Sequence, residues 1–209
     1  MIKHSGCYIT FEGMEGVGKS FFLEKINNTY PKEFTILLDD DLEGYGLALF
    51  NLLHKKDALL RQQDPLVEFF SFSAIDHDCI SRTVLPALTA GKTVLQDRGV
   101  DTTCLYAALR MKGELEDSLR LLLDIRKRIG LFPDHTICIV DDFTTCIQRA
   151  QQRNGKPYTR SELTFLKQIE LGFRVLHDLF PERVHLVERG KKTPGEMTEH
   201  LYQLIKRLR

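Results

Sequence analysis

Net charge is the first thing this chain lacks. Across 209 residues, 29 Lys and Arg stand against 29 Asp and Glu. A surface without positive excess has no basic field with which to hold a polyanion, which argues against a nucleic-acid partner. Long apolar runs are missing too. No uncharged stretch approaches the ~20 apolar residues that a membrane helix needs, so no membrane partner is expected. The first residues, MIKHSGCYITFEG, contain no hydrophobic signal region or small-residue cleavage site, and the expected location is the cytoplasm. Cysteine is sparse and scattered. Cys7, Cys79, Cys104, Cys138 and Cys146 are odd in number and form no CxxC, which excludes a disulfide framework and suggests no zinc site. They are expected to be reduced and mostly in the core.

Composition otherwise fits a globular protein, with 43% hydrophobic and 28% charged residues. A mean hydropathy of -0.21 is consistent with charged outer faces. Apolar runs alternate with amphipathic stretches, and no Pro/Gly/Ser linker or internal repeat interrupts them, so residues 1–209 read as one domain. Strand-like runs occur at 7–11, 35–38, 93–96, 136–140 and 184–187, each followed by a turn and a helical pattern. Five buried strands separated by helices imply an α/β fold, a parallel sheet covered on both faces. The helices after Lys19, Asp64 and Arg160 are expected to be the longest. Pro86, inside the apolar run 83–88, should kink or restart a helix. Ligands in such folds lie beyond the carboxyl ends of the strands, so the residues just after each strand are the candidates for chemistry.

After the first strand comes GMEGVGKS, residues 13–20, which satisfies G-x-x-x-x-G-K-[ST] between a strand and a helix. Gly13, Gly16 and Gly18 let the loop wrap so that backbone N–H groups point at phosphate oxygens, and the helix N-terminus adds positive potential. Lys19 would reach the β- and γ-phosphates of ATP, and the Ser20 hydroxyl would ligate Mg²⁺. Asp97 ends the strand VLQD, placed either to hold the Mg²⁺ shell or to orient an acceptor. Arg98 offers a planar fork for a phosphate. Asp141 and Asp142 read as helix N-cap carboxylates ahead of Arg149 and Arg153. Residues 153–161 gather Arg153, Lys156 and Arg160 around Gly155 and Pro157, the composition of a basic lid that closes over phosphates.

ITFEGMEGVGKS resembles the opening of bacterial-type thymidylate kinases, whose loop carries a carboxylate and lacks the arginine of the yeast and animal type. Gly16 occupies that arginine's place. DRGVDTTCLY, residues 97–106, resembles the family's DR-x-x-x-[ST]-x-x-x-Y. PDHTICIVDDFTTCIQRAQQR, residues 133–153, is similar to its Pro-Asp, strand and E-R-x-x-x-R run. The likeness spans most of the chain in the right order. It implies a P-loop NTPase fold, Mg·ATP, a homodimer and a catalytic arginine from the lid, either Arg153 or Arg160. For ATP it implies Gly13, Glu15, Gly16, Gly18, Lys19, Ser20 and Phe21, with Arg149 against adenine and residues 189–196 as the adenine wall. For the acceptor it implies Asp97 and Arg98 at metal and phosphate, Thr102 and Tyr106 along the pocket, Glu15 near the sugar 3′-hydroxyl, and Phe72 stacked on the base.

Three departures from the family bear on the acceptor. Gly99 replaces the usual aromatic. Asp76 stands where an arginine donates to the thymine carbonyl, and an ionised carboxylate accepts instead, as from cytosine N4. A one-turn slip would turn Asp76 to solvent and let His77 read the base. Where the family has a Glu-Pro-Gly-Gly turn and then an arginine for the acceptor phosphate, this chain reads DDDLEGYGLALFNLL, with Phe50 or Asn51 nearest the missing arginine. Three carboxylates there would repel a phosphate. The expected activity is therefore phosphoryl transfer to dTMP or a related deoxynucleotide such as dCMP. An alternative acceptor is the hydroxyl of a nucleoside or other small metabolite, with Asp39, Asp40 or Asp41 as general base, as in the related deoxynucleoside kinases. A non-catalytic nucleotide-binding regulator or ATPase is the reading from another class.

Overall fold

The computed structural model describes residues 5–39, 41–54, 64–130 and 132–209. Strands β1 (Cys7–Glu12), β2 (Phe34–Leu37), β3 (Thr93–Asp97), β4 (His135–Val140) and β5 (Val184–Glu188) each lie within one residue of an expected run. They form one sheet in the order β2-β3-β1-β4-β5, every neighbouring pair parallel. The three central strands are buried almost without interruption, whereas the edge strands β2 and β5 are partly open. Continuous burial is what an apolar run without alternation produces when helices cover both faces.

The helices are α1 (Lys19–Thr29), α2 (Gly44–His54), α3 (Pro65–Cys79), α4 (Leu85–Thr89), α5 (Val100–Ala108), α6 (Leu115–Ile129), α7 (Phe143–Asn154), α8 (Arg160–Leu179) and α9 (Pro194–Leu208). Several starts are written into the sequence. Thr159 with Glu162 and Thr193 with Glu196 form capping boxes at α8 and α9, and Asp64 accepts from the Leu66 N–H at α3 with Pro65 in the first turn. The expected break at Pro86 is a π-helical turn, Ile80–Val84, in which the Leu85 N–H reaches back five residues to Ile80 O. Proline has no N–H to close the next bond of an α-helix, and the wider turn absorbs the change of register. One expectation about length is corrected. Helix α1 has 11 residues, fewer than α6 or α9 with 15 each. It stops because Tyr30 precedes Pro31 and leaves the helical region, with φ -125° and ψ 63°.

The main core lies between the sheet and α1, α5, α6, α7, α8 and α9, and a smaller cluster of Tyr8, Leu37, Val94 and Leu88 packs under the π-turn. All five cysteines are free, and four of them are buried. No helix among the described residues is long and apolar enough to cross a membrane.

A buried ion pair braces the start of α5 against the far side of the sheet. Asp101 is fully buried and receives both Arg183 Nη atoms at 2.7 Å, together with the Thr136 hydroxyl at 2.6 Å. Asp101→Ala should lower unfolding free energy by ~3–5 kcal/mol, because it leaves the Arg183 guanidinium largely buried without its anion. Urea unfolding measures this. A loss below ~1 kcal/mol, the scale of a surface pair, would contradict the bracing role.

Candidate functional site

The chain segments that follow β1, β2 and β3 meet at one cavity of about 490 Å³, lined among others by Glu15, Asp39, Phe72, Asp76, Arg98 and Tyr106. Residues 13–20 form the loop at its edge. A Cβ at Gly13, where φ is +132°, would collide with Ile139 O, and one at Gly16, where φ is +79°, would collide with Cys146 O. Only glycine lets the loop lie this close to β4 and α7. Lys19 is buried, and its Nζ donates to Gly13 O at 3.0 Å and Met14 O at 3.3 Å. Burial, aided by the nearby Arg98 charge, lowers its ammonium from 10.5 to about 8. Phe21 sits edge-on to Phe22 with Lys25 over its ring, so its side chain is not part of the cavity wall.

Ser20 Oγ donates to Asp97 Oδ2, and Asp97 Oδ1 is buried with no hydrogen-bond partner among the described residues. A buried carboxylate oxygen left open beside a hydroxyl is a hard oxygen donor set that suits Mg²⁺. Arg98 adopts φ +59°, a left-handed conformation costly for a residue with a Cβ, while its N–H donates to Phe11 O at 2.9 Å. Its Nε meets Asp39 Oδ2 at 3.3 Å. The acidic turn, expected to repel a phosphate, is therefore partly neutralised by Arg98. Asp41 Oδ2 accepts from the Leu38 N–H at 2.8 Å and closes the turn. Asp40 lies outside the described residues.

Two further residues, Glu12 bonded to the lining residue Thr102 and Gln96 on the wall itself, carried no assignment from the sequence. Glu12, the last residue of β1, is fully buried and accepts from the Thr102 hydroxyl. Burial and the Asp101 charge push its carboxyl up from 4.5 to about 8. Its signal was a carboxylate closing an otherwise apolar strand, ITFE. Gln96 lines the cavity and accepts from the Tyr8 hydroxyl at 2.6 Å. Gly99 leaves little room for a larger residue, since a Cβ there would meet Thr10 Cγ2 at 2.9 Å.

The lid segment is a short turn between α7, which ends at the left-handed Gly155, and α8. Glu15 binds it to the phosphate loop, receiving Arg153 Nη2 at 2.8 Å and the Tyr158 hydroxyl. Arg153 and Arg160 are not equivalent. Arg160 is exposed at the start of α8, forms no ion pair among the described residues and does not line the main cavity. The two aspartates after β4 also differ, correcting the expectation that both cap. Asp142 caps α7 through the Thr145 N–H at 2.8 Å, whereas Asp141 pairs with Arg149 at 2.8 Å and Arg189 at 3.6 Å. Arg149 also donates to Gly16 O at 3.4 Å, so residues 149 and 189 flank the loop's outer side.

Of the residues expected at the acceptor, Phe72 and Asp76 lie one helical turn apart on α3 and both line the cavity, as do Thr102 and Tyr106. His77 is exposed and outside that wall, which removes the one-turn slip. Phe50 contributes to the wall and Asn51 does not. Asp76 is not bare. Arg126, buried on α6, places Nη2 at 3.2 Å from Asp76 Oδ2 and donates through Nη1 to Ser73 O at 3.1 Å. The sequence hid this partner because Arg126 belongs to the basic last turn of α6, a place where cations ordinarily serve the helix dipole in solvent.

Residues 11–198 match the family model described as thymidylate kinase. A thymidylate kinase of Rickettsia rickettsii is 30% identical over 200 residues, covering 93% of this chain and 94% of that protein. Solved thymidylate kinases share the architecture, which is the P-loop NTPase fold. The one from Ehrlichia chaffeensis aligns with TM-score 0.69 and 20% identity over 96% of this chain and 98% of that chain. The one from Candida albicans aligns with TM-score 0.74 and 18% identity over 98% and 93%.

Glu12 makes stability fall with rising pH. The unfolded carboxyl loses its proton near 4.5, whereas the folded site keeps it to about 8. The stabilisation is thus fully present below the lower value and lost as pH rises through the upper one, at up to ~1.4 kcal/mol per pH unit. The lowered pKa of Lys19 acts in the opposite sense, and only above about 8. Glu12→Gln should therefore gain on wild type in urea unfolding between about pH 5 and 8. Parallel pH profiles for the two proteins would contradict the assignment.

Proposed function

The chain belongs to the thymidylate kinase family and is an ATP-dependent nucleotide kinase, and we propose that its acceptor is a pyrimidine deoxynucleoside monophosphate, dTMP or a close relative. The observation that carries this reading is the pairing of two phosphate sites on neighbouring strand ends. The Lys19 loop follows β1 and the Arg98 fork follows β3, whose ends are hydrogen-bonded partners in the sheet. A donor and an acceptor phosphate held by these groups approach each other at the mouth of one cavity. Phosphoryl transfer needs little covalent help, only alignment and neutralisation of charge.

Lys19 exchanges the loop carbonyls for the β- and γ-phosphate oxygens. Arg98 exchanges Asp39 for the acceptor phosphate. Phe72 supports the base, and Thr102 and Tyr106 border it. Arg149 lies against adenine, with residues 189–196 beside it. Ser20 and Asp97 would hold Mg²⁺, which would supply positive charge to offset that of the phosphates. Arg153, already on the cradle through Glu15, is the lid cation nearest the transferred group. A hydroxyl acceptor is less well served, because Asp39 is engaged by Arg98 and an ion-paired carboxylate is a weaker base. The homodimer implied by the resemblance would cover Leu66, Val67 and Phe70, exposed on α3.

ADP release with Mg·ATP and a panel of nucleosides and nucleoside monophosphates, against a no-acceptor control, tests the reading. Turnover with a deoxynucleoside monophosphate is expected, and turnover only with nucleosides would replace it. Lys19→Ala should lower turnover by roughly 10³-fold or more, since it removes the charge beside the reacting phosphates. Arg153→Ala should lower kcat about tenfold or more with a smaller change in KM for ATP, because lid charge acts mainly in the transition state. Wild-type kcat in Arg153→Ala would move the lid role to Arg160.

A further inference from the structure

One wall of the acceptor cavity carries a charged cluster that phosphoryl transfer does not use. Asp76 lines the cavity with a side chain 16% exposed. Its Oδ2 accepts from Arg126 Nη2 at 3.2 Å and from the Thr103 hydroxyl at 3.4 Å. Its Oδ1 takes no hydrogen bond among the described residues. Arg126 stands behind this wall, 3% exposed and outside the cavity lining, with its other donor on Ser73 O. The face turned to the cavity is therefore an acceptor of hydrogen bonds, and the donors that could have faced it are turned onto Asp76 and Ser73.

As a device for stability alone the cluster is poor. Arg126 Nε and Ser73 Oγ are buried without partners among the described residues. A buried ion pair with unsatisfied neighbours gains little over apolar packing of the same volume. What the arrangement does provide is a carboxylate fixed in one orientation. Phe72 precedes Asp76 by four residues on α3, so ring and carboxylate lie on one helix face and both line the cavity. A planar base seated against the ring has its edge beside Asp76.

Resting on the nucleotide-kinase reading above, we propose that Asp76 is a specificity-determining residue that selects an acceptor pyrimidine bearing an exocyclic amine at position 4, with Arg126 and Thr103 as the positioning residues that hold its carboxylate. Oδ1 accepts the amine N–H. A 4-oxo pyrimidine turns a carbonyl toward the same oxygen, and two facing acceptors both lose water without gaining a partner. Discrimination by a buried group of fixed hydrogen-bond sense is roughly tenfold or more.

The test is kcat/KM of the wild-type enzyme for dCMP, dUMP and dTMP with Mg·ATP. The first two differ at position 4 and in the proton on the adjacent N3, and share everything else. The expected result is a preference for dCMP over both others of about tenfold or more. In Asp76→Asn, whose amide offers a donor as well as an acceptor, the ratio of dCMP to dUMP should fall several-fold. Arg126→Lys keeps the charge and loses the fork, and should lower the same ratio. If wild type turns over dUMP or dTMP as well as dCMP, the base assignment is overturned and the nucleotide-kinase reading stands. If no deoxynucleotide is turned over, both fall. A ratio unchanged in Asp76→Asn removes Asp76 from recognition, and one unchanged in Arg126→Lys makes that arginine structural. The wild-type ratio decides the central point whether or not the variants fold.

Discussion

Two cations held close together out of water are the constraint around which this site is arranged. Lys19 and Arg98 follow adjacent strands, and the charge of Arg98, together with burial, disfavours the ammonium of Lys19. Each must therefore be answered by an anion or a carbonyl. Lys19 rests on the carbonyls of Gly13 and Met14, Arg98 on Asp39, and Asp97 stands nearby. Such a site gains most from a ligand that supplies several negative charges at once. A pair of phosphates does so.

The loop can present those charges only because its backbone lies close against the rest of the fold. Gly13 and Gly16 have no Cβ where β4 and α7 pass, and Asp141 draws Arg149 and Arg189 to the same flank. Glu15 then ties the loop to the turn between α7 and α8 through Arg153 and Tyr158. The glycine loop, the Arg149–Arg189 flank and the turn before α8 thus share one anchoring surface, and a change in the α7 position would be felt in all three.

The acceptor side is built differently. Its polar groups come from helices: Asp76 on α3, Thr102 and Thr103 on α5, and Arg126 on α6. Helix faces exchange side chains without disturbing the sheet, so this wall of the cavity can vary while the strand ends are retained.

Much of this was legible in the amino-acid order. Apolar runs between turn signals located all five strands, and the spacing from Gly13 to Ser20 located the phosphate loop, because strand burial and loop wrapping depend on residues close together in the chain. The partners of charged groups were not legible. Arg126 meets Asp76 across 50 positions, Arg153 meets Glu15 across 138, and Arg98 takes Asp39 from the very turn that looked repulsive. Which of several nearby cations a carboxylate meets depends on how helix faces are set against the sheet, and no local periodicity records that. The sequence by itself determined the five strands and the glycine loop between β1 and α1. The protonation of Glu12, the inequality of Arg153 and Arg160 and the orientation of Asp76 were decided only by tertiary packing, because burial and charge pairing are properties of the assembled core.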